Sequence, residues 1–376
     1  MFRAAIVLAM LCAMLGPSDA QDYRKEPVRI PFAAAGPRGL EALLVRPSDG
    51  RRYPLALISH GTPRDADTRR QMTPGRYQVQ AIEFARRGFA VLIVMRRGYG
   101  DSGEDYVENS GPCGRRDYLR TAMASSEDLR AAVEEMRKRS DVTTQGMIAI
   151  GQSAGGFASI ALAANPPAGL AAVINFAGGR GSRADNDVCD QDKLVEAFGA
   201  MGRTARVPML WVYSENDLFF WPELAKRFHT SFQASGGRAK FVSAPPFGRD
   251  GHSLFSRRGT SIWLPMVDAF LREQNLGLRT PLPPPSTDTL PPPPQLVGTG
   301  REAFKQFVLA GDHKAFALSS GGRRYGWRAG MRGEREARIA AIEACERIGE
   351  SCNIYAVDDE LESDRLREAK PAAPAR

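Results

Sequence analysis

The stretch IGQSAGGFASIALAA, residues 150–164, decides how the rest of the chain is read. An isoleucine ends an apolar run, small residues crowd both sides of Ser153, and an alanine-rich segment of helical character follows. Glycine at 151, 155 and 156 is what a sharp strand-to-helix turn needs, because the backbone there must approach other backbone closely. Such a turn holds its serine at strained angles with the hydroxyl exposed, ready to act as a nucleophile. Glycine accounts for 37 of 376 residues, so Gly-x-Ser-x-Gly arises by accident in roughly one chain in five of this composition. The surrounding pattern therefore has to carry the reading.

Working outward, apolar runs alternate with helical periodicity from residue 28 to about 277. VRIPF and EALLVRP predict an opening antiparallel pair. PLALISHG, FAVLIVM, GMIAIG, AAVINFAG, VPMLWVYS and AKFVSAPP predict further strands. YQVQAIEFARRG, SSEDLRAAVEEMRKRS (with a serine cap), FASIALAAN, LVEAFGAMG, PELAKRFHTSFQASGG and TSIWLPMVDAFLREQNLG predict the helices between and after them. Strict alternation of strands and helices implies right-handed crossovers and a mostly parallel sheet covered on both faces.

A serine needs a base. Four histidines are available, and His252 in GRDGHSLF falls between the last predicted strand and the final helix, where a Ser, acid, His order puts the third member. His60 ends a strand, His229 lies within a helix, and His313 lies beyond the proline-rich segment. For the acid, Asp217 follows the strand VPMLWVYS at its carboxyl end and lies further into the loop than Glu215; Glu215 and Asp250 are the alternatives. Two backbone donors for an oxyanion are expected from Ala154, after the nucleophile, and Thr62, after the strand-ending His-Gly. Phe219, Phe220 and Trp221 are candidates to line the pocket. The segment 180–206 is too short for a large lid and is expected to roof the pocket partly, leaving it fairly open.

SHG, RRGYGDSG, GQSAGG, SENDLF and DGHSLF together resemble the α/β-hydrolase superfamily over residues 28–277, most closely secreted dienelactone-hydrolase-like and prolyl-oligopeptidase-like serine esterases. The resemblance implies an α/β-hydrolase fold with an eight-stranded sheet and Ser153, Asp217 and His252 as its triad. Two departures stand out: dienelactone hydrolases carry cysteine where this chain has Ser153, and no β-propeller precedes the domain.

The remaining sequence sets the context. Residues 1–20 combine one basic residue, a short apolar stretch and a small-residue site at Ala20, which predicts a cleaved secretory signal peptide and a secreted or periplasmic product. Cys12 leaves with it. Cys113, Cys189, Cys345 and Cys352 allow three pairings in an oxidising compartment. The pairing that respects the expected domain boundary joins Cys113 to Cys189 and Cys345 to Cys352. Residues 21–279 are expected to form the hydrolase domain and 280–297 an extended proline-rich linker. Residues 298–362 read as a small cystine-stapled α+β module, a candidate to touch an envelope partner, and 363–376 as a disordered tail. The net charge of +8 comes from scattered basic doublets without a nucleic-acid-binding motif, and no later segment is apolar enough to span a membrane. The expectation is a serine hydrolase of small carboxylic esters that needs no metal or cofactor. A peptidase of the same fold, and a binding protein with a vestigial triad, are the alternatives.

Overall fold

A computed structural model of the chain describes residues 23–285, 290–347, 351–363 and 365. The predicted signal peptide and residues 366–376 of the predicted tail lie outside them. The main sheet has eight strands: β1 (Tyr23–Ile30), β2 (Leu40–Pro47), β3 (Tyr53–Ser59), β4 (Ala90–Val94), β5 (Val142–Gln152), β6 (Leu170–Phe176), then, after a two-stranded ribbon of β7 (Ser182–Ala184) and β8 (Asp187–Val188), β9 (Met209–Ser214) and β10 (Ala239–Ala244). Their spatial order is β1-β2-β4-β3-β5-β6-β9-β10. The pairs β1/β2 and β2/β4 are antiparallel, and every pair from β4 onward is parallel.

The helices are α1 (Ala66–Arg70), α2 (Gln78–Arg86), α3 (Tyr118–Arg137), α4 (Ala154–Ala164), α5 (Gln191–Gly202), α6 (Pro222–Ala234) and α7 (Thr260–Glu273). Neighbouring residues of β3 show how two cores share one sheet. Leu55 and Leu57 pack with Leu129 of α3, Phe157 of α4, Phe198 of α5 and Phe228 of α6. Ala56 and Ile58 pack on the opposite face with Phe84 of α2 and Trp263 and Val267 of α7. Both faces are thus sealed, which is why the central strands read as unbroken apolar runs rather than alternating ones.

Two local readings change. α3 begins at Tyr118, earlier than the serine cap predicted for it, and its cap is Asp117, whose carboxylate accepts the Arg120 amide at 2.9 Å. Ser125 and Ser126 instead sit inside the helix and return their hydroxyls to the carbonyls of Thr121 and Met123. That backbone bonding lets serine persist mid-helix, so its presence did not mark an end. The proline-rich segment is also less free than a spacer. Leu282 exchanges hydrogen bonds with Arg86, Tyr23 reaches the Pro283 carbonyl at 2.7 Å, and Leu290 and Leu296 are buried in the small module.

Beyond it, α8 (Thr299–Val308) and α9 (Glu334–Glu346) flank a four-stranded antiparallel sheet of β11 (Ala315–Ser319), β12 (Tyr325–Arg328), β13 (Cys352–Val357) and β14 (Glu360–Leu361), in the order β12-β11-β13-β14. Glu362 pairs with Arg338, and Arg365 pairs with Glu334 and Glu360, so the chain past Glu360 is tied down at least this far. The module rests against the loop before α2: Gly75 meets Gly330, Thr73 donates to the Gly330 carbonyl, and Arg332 donates to the Met72 carbonyl at 2.7 Å. Disulfides join Cys113 to Cys189 and Cys345 to Cys352.

Candidate active site

Ser153 sits between the end of β5 and the start of α4 with φ 56° and ψ −124°, a conformation L-residues avoid, and it is 8% exposed. The neighbouring backbone holds it there. Its amide donates to the Phe176 carbonyl at 2.9 Å, and its carbonyl accepts from Phe157 and Gly179, both at 3.1 Å. The glycines are required by space. A Cβ on Gly151 would lie 2.1 Å from the Gly155 oxygen, and one on Gly155 would lie 2.0 Å from the Ser59 oxygen. No side chain fits there, so β3, β5 and α4 meet at backbone contact.

Asp217 and His252 come together after β9 and β10. His252 Nδ1 lies 3.2 Å and 3.1 Å from the two Asp217 oxygens. Asp217 is buried, and its Oδ1 also accepts the amides of Phe219 and Phe220 at 2.8 Å and 2.9 Å. The carboxylate is therefore fixed by its own turn before the imidazole arrives. Glu215 is exposed. Asp250 is bound to backbone instead of to the imidazole. Its Oδ1 accepts the amides of His252 and Leu218, both at 3.0 Å, clamping the His252 turn to the Asp217 turn. The His252 ring is stacked on Phe219, centroids 4.0 Å apart, and the Arg64 guanidinium covers the same phenyl ring at 4.1 Å.

A second bracket ties the His252 loop to the serine turn. Gln152 donates through Nε2 to the His252 carbonyl at 2.9 Å and accepts at Oε1 from the Tyr77 hydroxyl at 3.0 Å, which in turn accepts the Gly61 amide at 3.1 Å. The Gly61 amide is thus committed to Tyr77, while the next residue, Thr62, lines the cavity. Ala154, the first residue of α4, carries an amide that no intrahelical bond can use. Ser153, Ala154, Thr62, Phe219 and Phe220 line one cavity of about 200 Å³. Trp221, a sequence candidate for this wall, packs against the core beneath α6 instead. Arg180–Arg183 supply the partial roof expected of the segment after β6.

Thr62 is held from behind. Tyr99 donates its hydroxyl to Glu108 Oε2 at 2.7 Å, so the 2.6 Å contact between Thr62 Oγ1 and Tyr99 is a threonine-to-tyrosine donation. Glu108 is buried and accepts from Arg96 through Nε and Nη2 and from Arg180 Nη2 at 2.6 Å. Burial alone would raise the Glu108 pKa; Arg96 and Arg180 outweigh it and hold the carboxyl well below its usual range. Burial, reinforced by Glu108, drives the Tyr99 phenol well above its ordinary value, so it stays a donor. His60, also buried here, has its Nδ1 2.8 Å from the Gly61 carbonyl and its Nε2 accepting the Arg96 amide at 3.2 Å. One nitrogen donates and the other accepts, so the ring is neutral; burial and then Arg96 push its pKa well below 6.5. Sequence reasoning missed Gln152, Tyr77, Glu108 and Arg180. Nothing marks a glutamate in the loop DYVENSGPC as a buried hub.

Among the described residues, the only cluster of metal-binding side chains is Cys113, Cys189 and Asp190, and its two sulfurs are bonded to each other.

The profile of the serine aminopeptidase (S33) family matches residues 69–194, which include Ser153 and stop before Asp217 and His252. Pyrococcus horikoshii acylaminoacyl peptidase superposes with a TM-score of 0.50 at 14% identity, covering 69% of this chain and 42% of that one. The chain has an α/β-hydrolase fold. It thus spans less than half the length of that peptidase. A Pyrococcus furiosus esterase is also similar, with a TM-score of 0.44 at 13% identity over 67% of this chain and 90% of its own. A Klebsiella pneumoniae protein provisionally described as a dienelactone hydrolase gives 0.47 at 13% over 66% and 99%. No curated protein matches the sequence at a significant level.

Proposed function

We propose that the protein is an exported serine hydrolase of small carboxylic esters. The observation that carries the proposal is the buried Asp217 bridged to His252 Nδ1, with Ser153 strained at the wall of a cavity that Thr62 and Ala154 also line. In this reading His252 Nε2 takes the Ser153 hydroxyl proton as Oγ bonds to the ester carbonyl carbon. Asp217 holds the imidazole in the Nδ1–H tautomer and stabilises the imidazolium. The amides of Thr62 and Ala154 donate to the developing oxyanion, an arrangement in which a single donor is worth about 10²–10³ in rate. The alcohol leaves with the proton from His252, and water, deprotonated by the same ring, releases the acid from the acyl-enzyme. No step calls for a metal or cofactor.

Two disulfides support export. The matched family profile is that of an aminopeptidase, which supports a peptidase of the same fold as the second reading. Paired ester and amide substrates separate the two, since amide turnover at or above ester turnover favours the peptidase. The central test is active-site labelling. A fluorophosphonate probe is expected to label the chain but not Ser153→Ala, and Asp217→Asn is expected to lose about 10³–10⁴ in ester turnover. A folded protein that neither reacts with the probe nor turns over any ester would identify the triad as vestigial.

A further inference from the structure

Among the described residues, none that lines the Ser153 cavity comes from the C-terminal module, yet the module grips two chain segments that support the triad. The first is the 3-10 turn Pro74–Tyr77. A Cβ on Gly311 would lie 2.5 Å from the Gly75 oxygen, and one on Gly75 would lie 3.2 Å from the Gly330 Cα, so backbone meets backbone at both contacts. Around them Thr73 donates to the Gly330 carbonyl, the Asp312 amide donates to Gln78 Oε1 at 3.3 Å, and Lys25 pairs with Asp312. The turn ends in Tyr77. Its hydroxyl joins the Gly61 amide to Gln152, and Gln152 holds the His252 carbonyl.

The second segment follows the histidine directly. Arg257 stands just past the His252 loop and opens the 3-10 turn Arg257–Gly259 that leads into α7. A helix ends with four carbonyls that its own amides cannot reach. In α8 these belong to Lys305, Gln306, Phe307 and Val308. The Leu309 amide turns back to Lys305, the Ala310 amide to Phe307, and Lys314 Nζ to Val308. Gln306 receives the Arg257 guanidinium through Nη1, and Nη2 lies 3.4 Å from the Lys305 carbonyl. A planar cation at the negative end of a helix dipole suits both carbonyls at once. A further line runs through α2: its first residue, Gln78, takes the Asp312 amide, and Gln80 holds the Phe255 carbonyl at 2.9 Å. Within the hydrolase domain Asp250 and Trp263 hold the same loop, at the His252 amide and the Ser256 carbonyl. Losing the module's share should therefore loosen the loop without releasing it.

Resting on the hydrolase reading above, we propose that the C-terminal module is the outer part of the catalytic frame and Arg257 a positioning residue: docked, the module holds the Tyr77 turn and the His252 loop, and so keeps the imidazole where Asp217 and Ser153 can use it. Neither Arg257 nor the module touches the reacting atoms. They act on placement, where an error of about 1 Å costs up to about 100-fold in rate. A module that served only to recruit a partner would be expected on a free tether. Here the connecting segment is itself pinned, Leu282 to Arg86 and Pro283 to Tyr23.

The test uses the full mature chain with single changes on the two sides of the joint. Arg257→Gln removes the charged donor from the α8 carbonyls, and Gly311→Val drives a side chain into the Gly75 carbonyl. Each is expected to lower kcat for 4-nitrophenyl acetate about 10- to 100-fold with KM within about twofold, and to slow fluorophosphonate labelling of Ser153 in proportion. Hydrogen–deuterium exchange at the amides of residues 251–256 should quicken at least about fivefold while β5 and β6 keep their protection. Arg257→Lys, which keeps a cationic donor, should stay within about threefold of the parent in kcat. Gly311→Ala serves if the larger changes do not fold, and should lower kcat at least about threefold with the same faster loop exchange. A lower melting temperature with kcat, labelling rate and loop exchange all unchanged would overturn the proposal and leave the module a stabilising appendage. A raised KM at unchanged kcat would overturn it too. If the parent neither labels nor turns over an ester, faster loop exchange in the variants would mean that only the hydrolase reading has failed, and unchanged loop exchange would sink both.

Discussion

Replacing Glu108 by glutamine removes one charge from the centre of the site and changes almost nothing in volume. The carboxylate accepts from Arg96 through two nitrogens, from Tyr99 and from Arg180, and the side chains of Arg96 and Glu108 are both fully buried. Glutamine keeps one accepting oxygen but turns an NH₂ group toward a guanidinium, so Arg96 and Arg180 lose the one carboxylate they share. Breaking a buried pair by deleting one partner costs about 3–5 kcal/mol, a large part of the roughly 5–15 kcal/mol that stabilises a typical domain. The Thr62–Tyr99 relay also loses its terminal acceptor, which frees the amide proposed for the oxyanion, so ester turnover should fall about 10- to 100-fold. Urea unfolding followed by fluorescence of the buried Trp211 and Trp263 measures the first effect. If charge is the cause, adding Arg96→Met to Glu108→Gln should recover part of the lost stability. A loss below about 1 kcal/mol for Glu108→Gln, or no recovery in the double variant, would refute the electrostatic account of this cluster.

Acid should destabilise the fold through His60, whose folded pKa is depressed well below 6.5. Its contribution is complete above pH 6.5 and is lost as pH falls, because the unfolded chain takes up a proton that the folded one refuses. Over the range from pH 6.5 down to 4.5 the slope of that loss is at most about 1.4 kcal/mol per pH unit. Urea midpoints across that range should show a slope that flattens in His60→Gln; an unchanged slope would mean His60 is not the sensor. Opening the Cys113–Cys189 bridge, which spans a sequence separation of 76, should cost about 4.5 kcal/mol by loop entropy. Opening Cys345–Cys352, with a separation of 7, should cost about 2.5 kcal/mol. Serine pairs at each bridge, compared by denaturant midpoint, would contradict this ordering if the short loop proved the costlier to open.

Much of the architecture was legible in one dimension because it depends on local rules. Continuous apolar strands alternating with amphipathic helices leave few solutions other than a covered parallel sheet. The small residues around Ser153 announce a turn in which backbone touches backbone, and the steric clash of any Cβ at Gly151 or Gly155 shows why. The meeting of Asp217 with His252 was readable for the same reason, since parallel strands deliver their carboxyl ends to one edge. The beginning of α3 was not, because Ser125 and Ser126 bond backward inside a helix as readily as they cap one. Nor was the role of Asp250, an acid candidate ranked behind Asp217 and Glu215 because it lies so near His252 in sequence, which folding turns toward two amides.

The wall facing the nucleophile was decided entirely in three dimensions. Arg96 and Glu108 are ordinary charged residues in the loop between β4 and α3, and Arg180 is another in the loop after β6; nothing in their spacing shows that they share one buried site. Burial is a property of the packed chain. It removes the water that would otherwise have screened these charges, and so leaves Arg96 and Arg180 dependent on the one carboxylate they share.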